Sequence, residues 1–171
     1  GKTYSQNVFI DGILNYIRER KDEPFFLYHS TQLPHGPVAI PEIHPDFVDN
    51  DSLSLAEKKY GSMVKMLDDH VGLIMAKLKS LGIDDNTVVF FTSDNGHELY
   101  YGPKPSYHKQ TLLNGEAANL DDKKWRTSEC GDVFNGAGDR AGLKRTGYQG
   151  GMQCPMIVRW PGRIAPGTET N

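Results

Sequence analysis

Short apolar runs alternate with long amphipathic stretches along this chain. Val88, Val89, Phe90 and Phe91 are β-branched or aromatic without interruption. Such a run, bounded by polar residues, predicts a strand buried on both faces. Phe25, Phe26, Leu27 and Tyr28 predict a second strand, and residues 155–160, centred on Met156, Ile157 and Val158, a third. Residues 4–20 predict a helix, because Phe9, Ile13 and Ile17 fall four apart with Ile10 and Leu14 beside them. Arg18, Arg20 and Lys21 close it, where cations suit the helix dipole. A longer helix starts after Ser54, three residues before Glu57, the spacing of a capping box. Tyr60, Val64, Leu67, Val71, Ile74, Leu78 and Leu81 give it one apolar face, and Gly82 ends it.

The rest is less regular. Pro37, Pro41 and Pro45 interrupt residues 36–53, a loop long enough to be functional. Residues 98–147 show little periodicity and predict at most a helical turn around residues 112–120. Strands separated by helices predict an α/β fold with a parallel sheet.

Composition changes this picture only at its edges. A chain of 171 residues can bury a core, while 18 glycines and 10 prolines imply much loop. The net charge of -3 leaves no electrostatic footprint for nucleic acid. No apolar run approaches the roughly 20 residues that span a bilayer, so no membrane partner is expected. The first residue is Gly1 and the last residues are polar, so the chain is expected to be an interior piece of a longer protein. Cys130 and Cys154 could pair or stay free.

Candidate chemistry gathers where the 88–91 run ends, in Ser93, Asp94, Asn95, Gly96 and His97. Ligands of open α/β sheets collect at the carboxyl ends of strands. Asn95 followed by Gly96 is also a hairpin signal, but no alternating strand follows it. Asp94 and Asn95 offer hard oxygen ligands that suit Ca²⁺ or Mg²⁺ better than zinc. His97, three residues beyond Asp94, could reach a substrate or act as an acid near neutral pH. Asp68 and Asp69, neighbours on a helix, predict a solvated face. His29, His44, His70 and His108 lack functional context and are expected to be structural or on the surface. Arg159 is expected to be a charge at a strand edge.

Five motifs in order carry a family resemblance. They are Pro24 to Tyr28 running on to Pro34, His35, Gly36 and Pro37; Tyr60 through Asp68, Asp69 and His70 to Leu78; Asp85 through Asn95 and Gly96; Lys144 to Tyr148, Gln149, Gly150 and Gly151; and Cys154 through Trp160, Pro161 and Gly162. The chain resembles the C-terminal part of the catalytic domain of the type I, arylsulfatase-like sulfatases, in the alkaline-phosphatase-like superfamily. Residues 103–143 match least and look like a variable insertion.

The resemblance implies a sulfuric ester hydrolase built as a sandwich, with a mostly parallel central sheet between helices. It implies calcium binding by Asp94 and Asn95, with Mg²⁺ a possible substitute. Asn95 stands where two-zinc relatives carry histidine, which favours a single hard cation. The resemblance places Lys144 and His35 on the sulfate, with His97 a further catalytic candidate. Gln149 stands where the family often has glutamate. A formylglycine nucleophile is implied upstream, since neither Cys130 nor Cys154 lies in a Cys/Ser-x-Pro-x-Arg motif. Expected partners are a sulfated small molecule or glycan and the missing N-terminal part of the same domain. The chain alone is expected to be inactive, and the family implies a periplasmic, secreted or lysosomal location. The alternatives are a phosphodiesterase, phosphonate hydrolase or phosphoethanolamine transferase of the same superfamily, or a non-catalytic binding domain.

Overall fold

A computed structural model describes residues 3–102, 111–118 and 124–170. Two helices frame it, α1 (Ser5–Glu19) and α3 (Leu55–Ser80), with the one-turn α2 (Pro45–Val48) between them. Ser54 caps α3 through the expected box: its side chain accepts from the Glu57 amide, and the Glu57 carboxylate accepts from the Ser54 amide. Gly82, at φ +69°, takes the left-handed conformation that ends the helix. No helix among the described residues is long and apolar enough to cross a membrane.

Ile13 and Ile17 of α1 pack on Leu78 of α3, with Phe25, Leu27 and Val89 against them. The buried stripe of α1 is Gln6, Ile10, Ile13 and Ile17, so Phe9 turns outward instead of joining the core. Val64 of α3 is likewise exposed. Asp68 and Asp69 face solvent as expected. Gln6 is a buried polar residue with a task. Its Nε2 donates to Gln32 Oε1 at 3.1 Å and its Oε1 accepts from Thr31 Oγ1 at 3.3 Å. The start of α1 thereby holds the loop that carries His35.

The sheet differs from expectation. β1 (Val89–Thr92) and β2 (Met156–Arg159) pair antiparallel, with Phe90 opposite Val158. No parallel pair occurs among the described residues. A parallel neighbour needs a crossover unit, whereas the described residues between β1 and β2 hold only a 3-10 turn and a four-residue helix. Residues 25–28 form no ladder, yet they alternate like a strand: Phe25 and Leu27 face the helices while Phe26 and Tyr28 point away. None of these runs is buried on both faces. Phe26 is 86%, Tyr28 78% and Phe90 59% exposed, because nothing described covers the side opposite the helices. Arg159 does sit at the strand edge, where it bonds both oxygens of Asp84.

A protein made of these 171 residues alone is expected to self-associate through that apolar face. Size-exclusion chromatography with light scattering checks this, and a monodisperse monomer at micromolar concentration would count against it.

A second core lies under the aperiodic region. Leu99, Tyr101, Ala118, Trp125, Cys130 and Leu143 pack around Tyr60 of α3. No helical turn occurs at residues 112–118; Thr111 and Ala117 instead form an antiparallel bridge, and residues 119–120 of that expectation lie outside the described set. Arg126 bridges to Ala141, a 3-10 turn follows at Thr127–Cys130, and α4 (Gln149–Met152) precedes β2. Both cysteines are free thiols, and burial, followed by the nearby Glu129 and Asp132 charges, pushes the Cys130 thiol up to about 11.

Candidate active site

One cleft of about 1060 Å³ opens where the connecting segments meet. His35 reaches it from the loop after residues 25–28, Asp94, Asn95 and His97 from the end of β1, and Lys144 from the approach to α4. All five residues singled out in the sequence therefore line one space.

Backbone hydrogen bonds hold these segments in place. Gly96 donates to the Gly151 carbonyl at 2.9 Å, Lys144 to the His97 carbonyl at 2.7 Å, and Gly150 to the Ala141 carbonyl at 2.8 Å. Thr92 adds a side-chain bond to the Pro155 carbonyl at 2.9 Å. Glycine is needed for this lacing. A Cβ at Gly96 would run into the Gly150 carbonyl, and one at Gly150 into the Gly142 carbonyl.

Asp94 is exposed and Asn95 half-buried at the strand end. The Asn95 Nδ2 donates to the Gly96 carbonyl at 3.1 Å, which leaves Oδ1 as its available acceptor. One carboxylate and one amide oxygen side by side are hard donors that fit Ca²⁺ or Mg²⁺. No group of three or more His, Cys, Asp or Glu that could hold a metal occurs among the described residues. The His35 Nδ1 lies 2.7 Å from the Gly36 carbonyl, which fixes the proton there and leaves Nε2 as the acceptor of the neutral ring.

His97 is more enclosed than a solvent-facing acid would be. Its side chain is only 11% exposed, and its Nε2 lies 3.0 Å from the Tyr101 hydroxyl and 3.2 Å from Asp132 Oδ2. The carboxylate of Asp132 is fully enclosed. It accepts from the Tyr101 hydroxyl at 2.5 Å and from the amides of Phe134 and Gly136. Burial alone would raise the pKa of Asp132, but the bonds from His97 and Tyr101 hold it well below the usual carboxylate range. Burial, with the Asp132 charge behind it, raises the Tyr101 phenol. Tyr60 lies over Tyr101, ring centroids 4.3 Å apart.

Sequence reasoning missed this wall. Asp132 lies in a stretch with no periodicity and no motif, and only burial of a lone carboxylate would have exposed it. The pair of Glu98 and Arg145 was missed in the same way. Glu98 is buried, which raises its pKa, and it binds Arg145 at 2.8 Å.

The other histidines are mostly structural. His44 caps α2 by accepting from the Asp46 amide at 3.2 Å, and His70 is buried in α3. His29 lines the cleft, and burial lowers its pKa. His108 lies outside the described residues.

Fold and cleft together define an α/β chain that presents hard oxygen donors beside an ammonium and an imidazole. The sulfatase family model matches residues 1–171. N-acetylgalactosamine-6-sulfatase of Rattus norvegicus is 32% identical over 170 residues, covering 98% of this chain and 26% of that protein. N-acetylgalactosamine-6-O-sulfatase of Bacteroides thetaiotaomicron is 34% identical over 154 residues, covering 89% of this chain and 24% of the relative. A solved structure from work on glycosaminoglycan metabolism by Bacteroides thetaiotaomicron superposes with a TM-score of 0.60 at 28% identity, over 94% of this chain and 28% of that one. Ps i-CgsB in complex with k-i-k-neocarrahexaose shares the fold, with a TM-score of 0.62 at 22% identity, over 95% of this chain and 29% of that one. The chain belongs to the sulfatase family. It spans about a quarter of the length of these curated relatives.

Proposed function

We propose that the protein carrying this chain hydrolyses sulfate esters, with a sulfated glycan or amino sugar as the substrate class. The observation that carries the reading is the cleft itself, which brings Lys144, His35, Asp94 and Asn95 together from three separate segments. A sulfate ester is an anion, and further negative charge develops on its leaving oxygen. Lys144 would neutralise sulfate oxygens and donate hydrogen bonds to them. His35, its ring fixed through Nδ1, would hold the sulfate or assist the leaving oxygen through Nε2. His97 would form the adjoining wall and contribute from its cleft side.

Asp94 and Asn95 would hold Ca²⁺, or Mg²⁺ in its place, with further ligands from outside this chain. The bound cation would supply a fixed positive charge beside the sulfate. The nucleophile, a formylglycine, would come from an upstream segment, so these residues alone would be inactive. In the whole domain, further strands and helices would build the mostly parallel sandwich of the alkaline-phosphatase-like superfamily. The exposed outer face of residues 25–28 and β1 supports that completion. Residues 103–143 would shape specificity as a variable insertion, and the location would be periplasmic, secreted or lysosomal.

The test uses the full-length protein, assayed on 6-sulfated N-acetylgalactosamine, on an aryl sulfate and on a phosphodiester. Sulfate release with little phosphodiester cleavage is the expected result. Preferential phosphodiester cleavage, or no turnover of any of the three, would overturn the reading. Asp94→Asn should weaken calcium binding at least tenfold by isothermal titration, since it removes the charged ligand of the pair. Unchanged affinity would remove Asp94 from the metal site.

A further inference from the structure

Lys144 is useful in a sulfate site only if its ammonium is held where the sulfate sits. A free lysine side chain is flexible. The segment after the Asp94 and Asn95 pair holds Lys144 at two points and its neighbour Arg145 at a third. The His97 carbonyl accepts from the Lys144 amide at 2.7 Å. The Glu98 carboxylate, buried, binds Arg145 at 2.8 Å. Arg145 has φ +77°, a left-handed backbone uncommon for a residue with a side chain, and the ion pair helps to hold it there. The Tyr100 hydroxyl then accepts from the Lys144 Nζ at 3.3 Å.

Tyr100 has a second contact. Its ring lies 4.9 Å from the His35 ring, centroid to centroid, tilted by 51°. Gly36 leaves room for it, since a Cβ there would come within 2.7 Å of the Tyr100 ring. Tyr100 thus touches both side chains assigned to the sulfate, and they come from segments more than a hundred residues apart.

Resting on the proposed function, we propose that Tyr100 is a positioning residue of the sulfate-binding cluster. Its phenol sets the Lys144 ammonium, and its ring sets the His35 imidazole. The two sulfate contacts are thereby fixed relative to each other by one side chain. Small displacements of positioning groups cost rate steeply, so the phenol oxygen matters even though it need not touch substrate.

The experiment is a double-mutant cycle in the full-length protein, on whichever sulfate ester it turns over. Tyr100→Phe keeps the ring and its packing on His35 and Gly36 but deletes the oxygen. We expect kcat to fall about tenfold, with KM and melting temperature little changed. In a Lys144→Ala background the same substitution should cost less than about twofold, because the ammonium it positions is gone. Tyr100→Leu, which also loses the stack on His35, should fall further than Tyr100→Phe. A silent Tyr100→Phe, or an equal loss in both backgrounds, would overturn the inference. Near-normal activity of Lys144→Ala alone would instead remove Lys144 from the site, which is the failure of the underlying reading.

Discussion

Lys144→Ala is expected to lower sulfatase turnover of the full-length protein roughly 10²–10³-fold, the cost of removing one preorganised charge-stabilising donor. The substitution leaves the backbone bond between the Lys144 amide and the His97 carbonyl intact. The fold should therefore survive, and the loss should fall on kcat. Lys144→Arg restores the charge but not the compact ammonium that reaches Tyr100, so it should recover only part of the rate. Steady-state kinetics with a thermal melt on the same sample checks both points. Activity within a few-fold of wild type, with the melt unchanged, would mean that Lys144 does not contact the sulfate.

Asp132→Ala is expected to have the largest structural effect. Four donors point at this carboxylate: the Tyr101 hydroxyl, His97 Nε2 and the amides of Phe134 and Gly136. Alanine removes their common acceptor: the Phe134 and Gly136 amides lose theirs, and the Tyr101 hydroxyl and His97 Nε2, 3.0 Å apart, keep only each other. Breaking such a charged, hydrogen-bonded group costs about 3–5 kcal/mol. The wall of the cleft should loosen, raising hydrogen exchange at residues 97–101 and 132–136 and lowering the denaturation midpoint. Protection equal to wild type would show that the network carries little stability.

The pH dependence has a definite sign. The Asp132 carboxyl titrates below its ordinary value in the folded protein. Its stabilising contribution is therefore full above the unfolded value near 4, declines as pH falls below that value, and is gone once pH has fallen through the depressed folded value. Between those two values wild type should lose stability on acidification, whereas Asp132→Asn should lack that component.

The long helices were legible in the sequence because their signals are local. The apolar stripe read at Phe9, Ile13 and Ile17, with Ile10 beside it, and the Ser54 to Glu57 box are short-range signals that placed both helices to within a residue or two, although Ile10 rather than Phe9 faces the core. The strands were legible only as extended apolar runs. Which of them pair, in which direction, and which face stays open depend on partners far along the chain, so β1 and β2 came out antiparallel and residues 25–28 unpaired.

The site divides along the same line. Asp94, Asn95 and His97 could be named from the strand end they follow, and His35 and Lys144 from the motifs that carry the family resemblance. Their convergence on one cleft was decided by the tertiary structure. So were the residues that hold them. Tyr100, Asp132, Glu98 and Arg145 lie in aperiodic sequence, and each takes its meaning from a partner that folding brings near: Lys144 and His35 for Tyr100, His97 for Asp132, and each other for the last two. The sequence by itself determined the helices and the polar residues at the strand end, because local spacing encodes them, and the order of its motifs carried the sulfatase resemblance. Only the tertiary structure decided the strand pairing, the open apolar face and the buried polar wall, because burial and long-range hydrogen bonds have no one-dimensional signature.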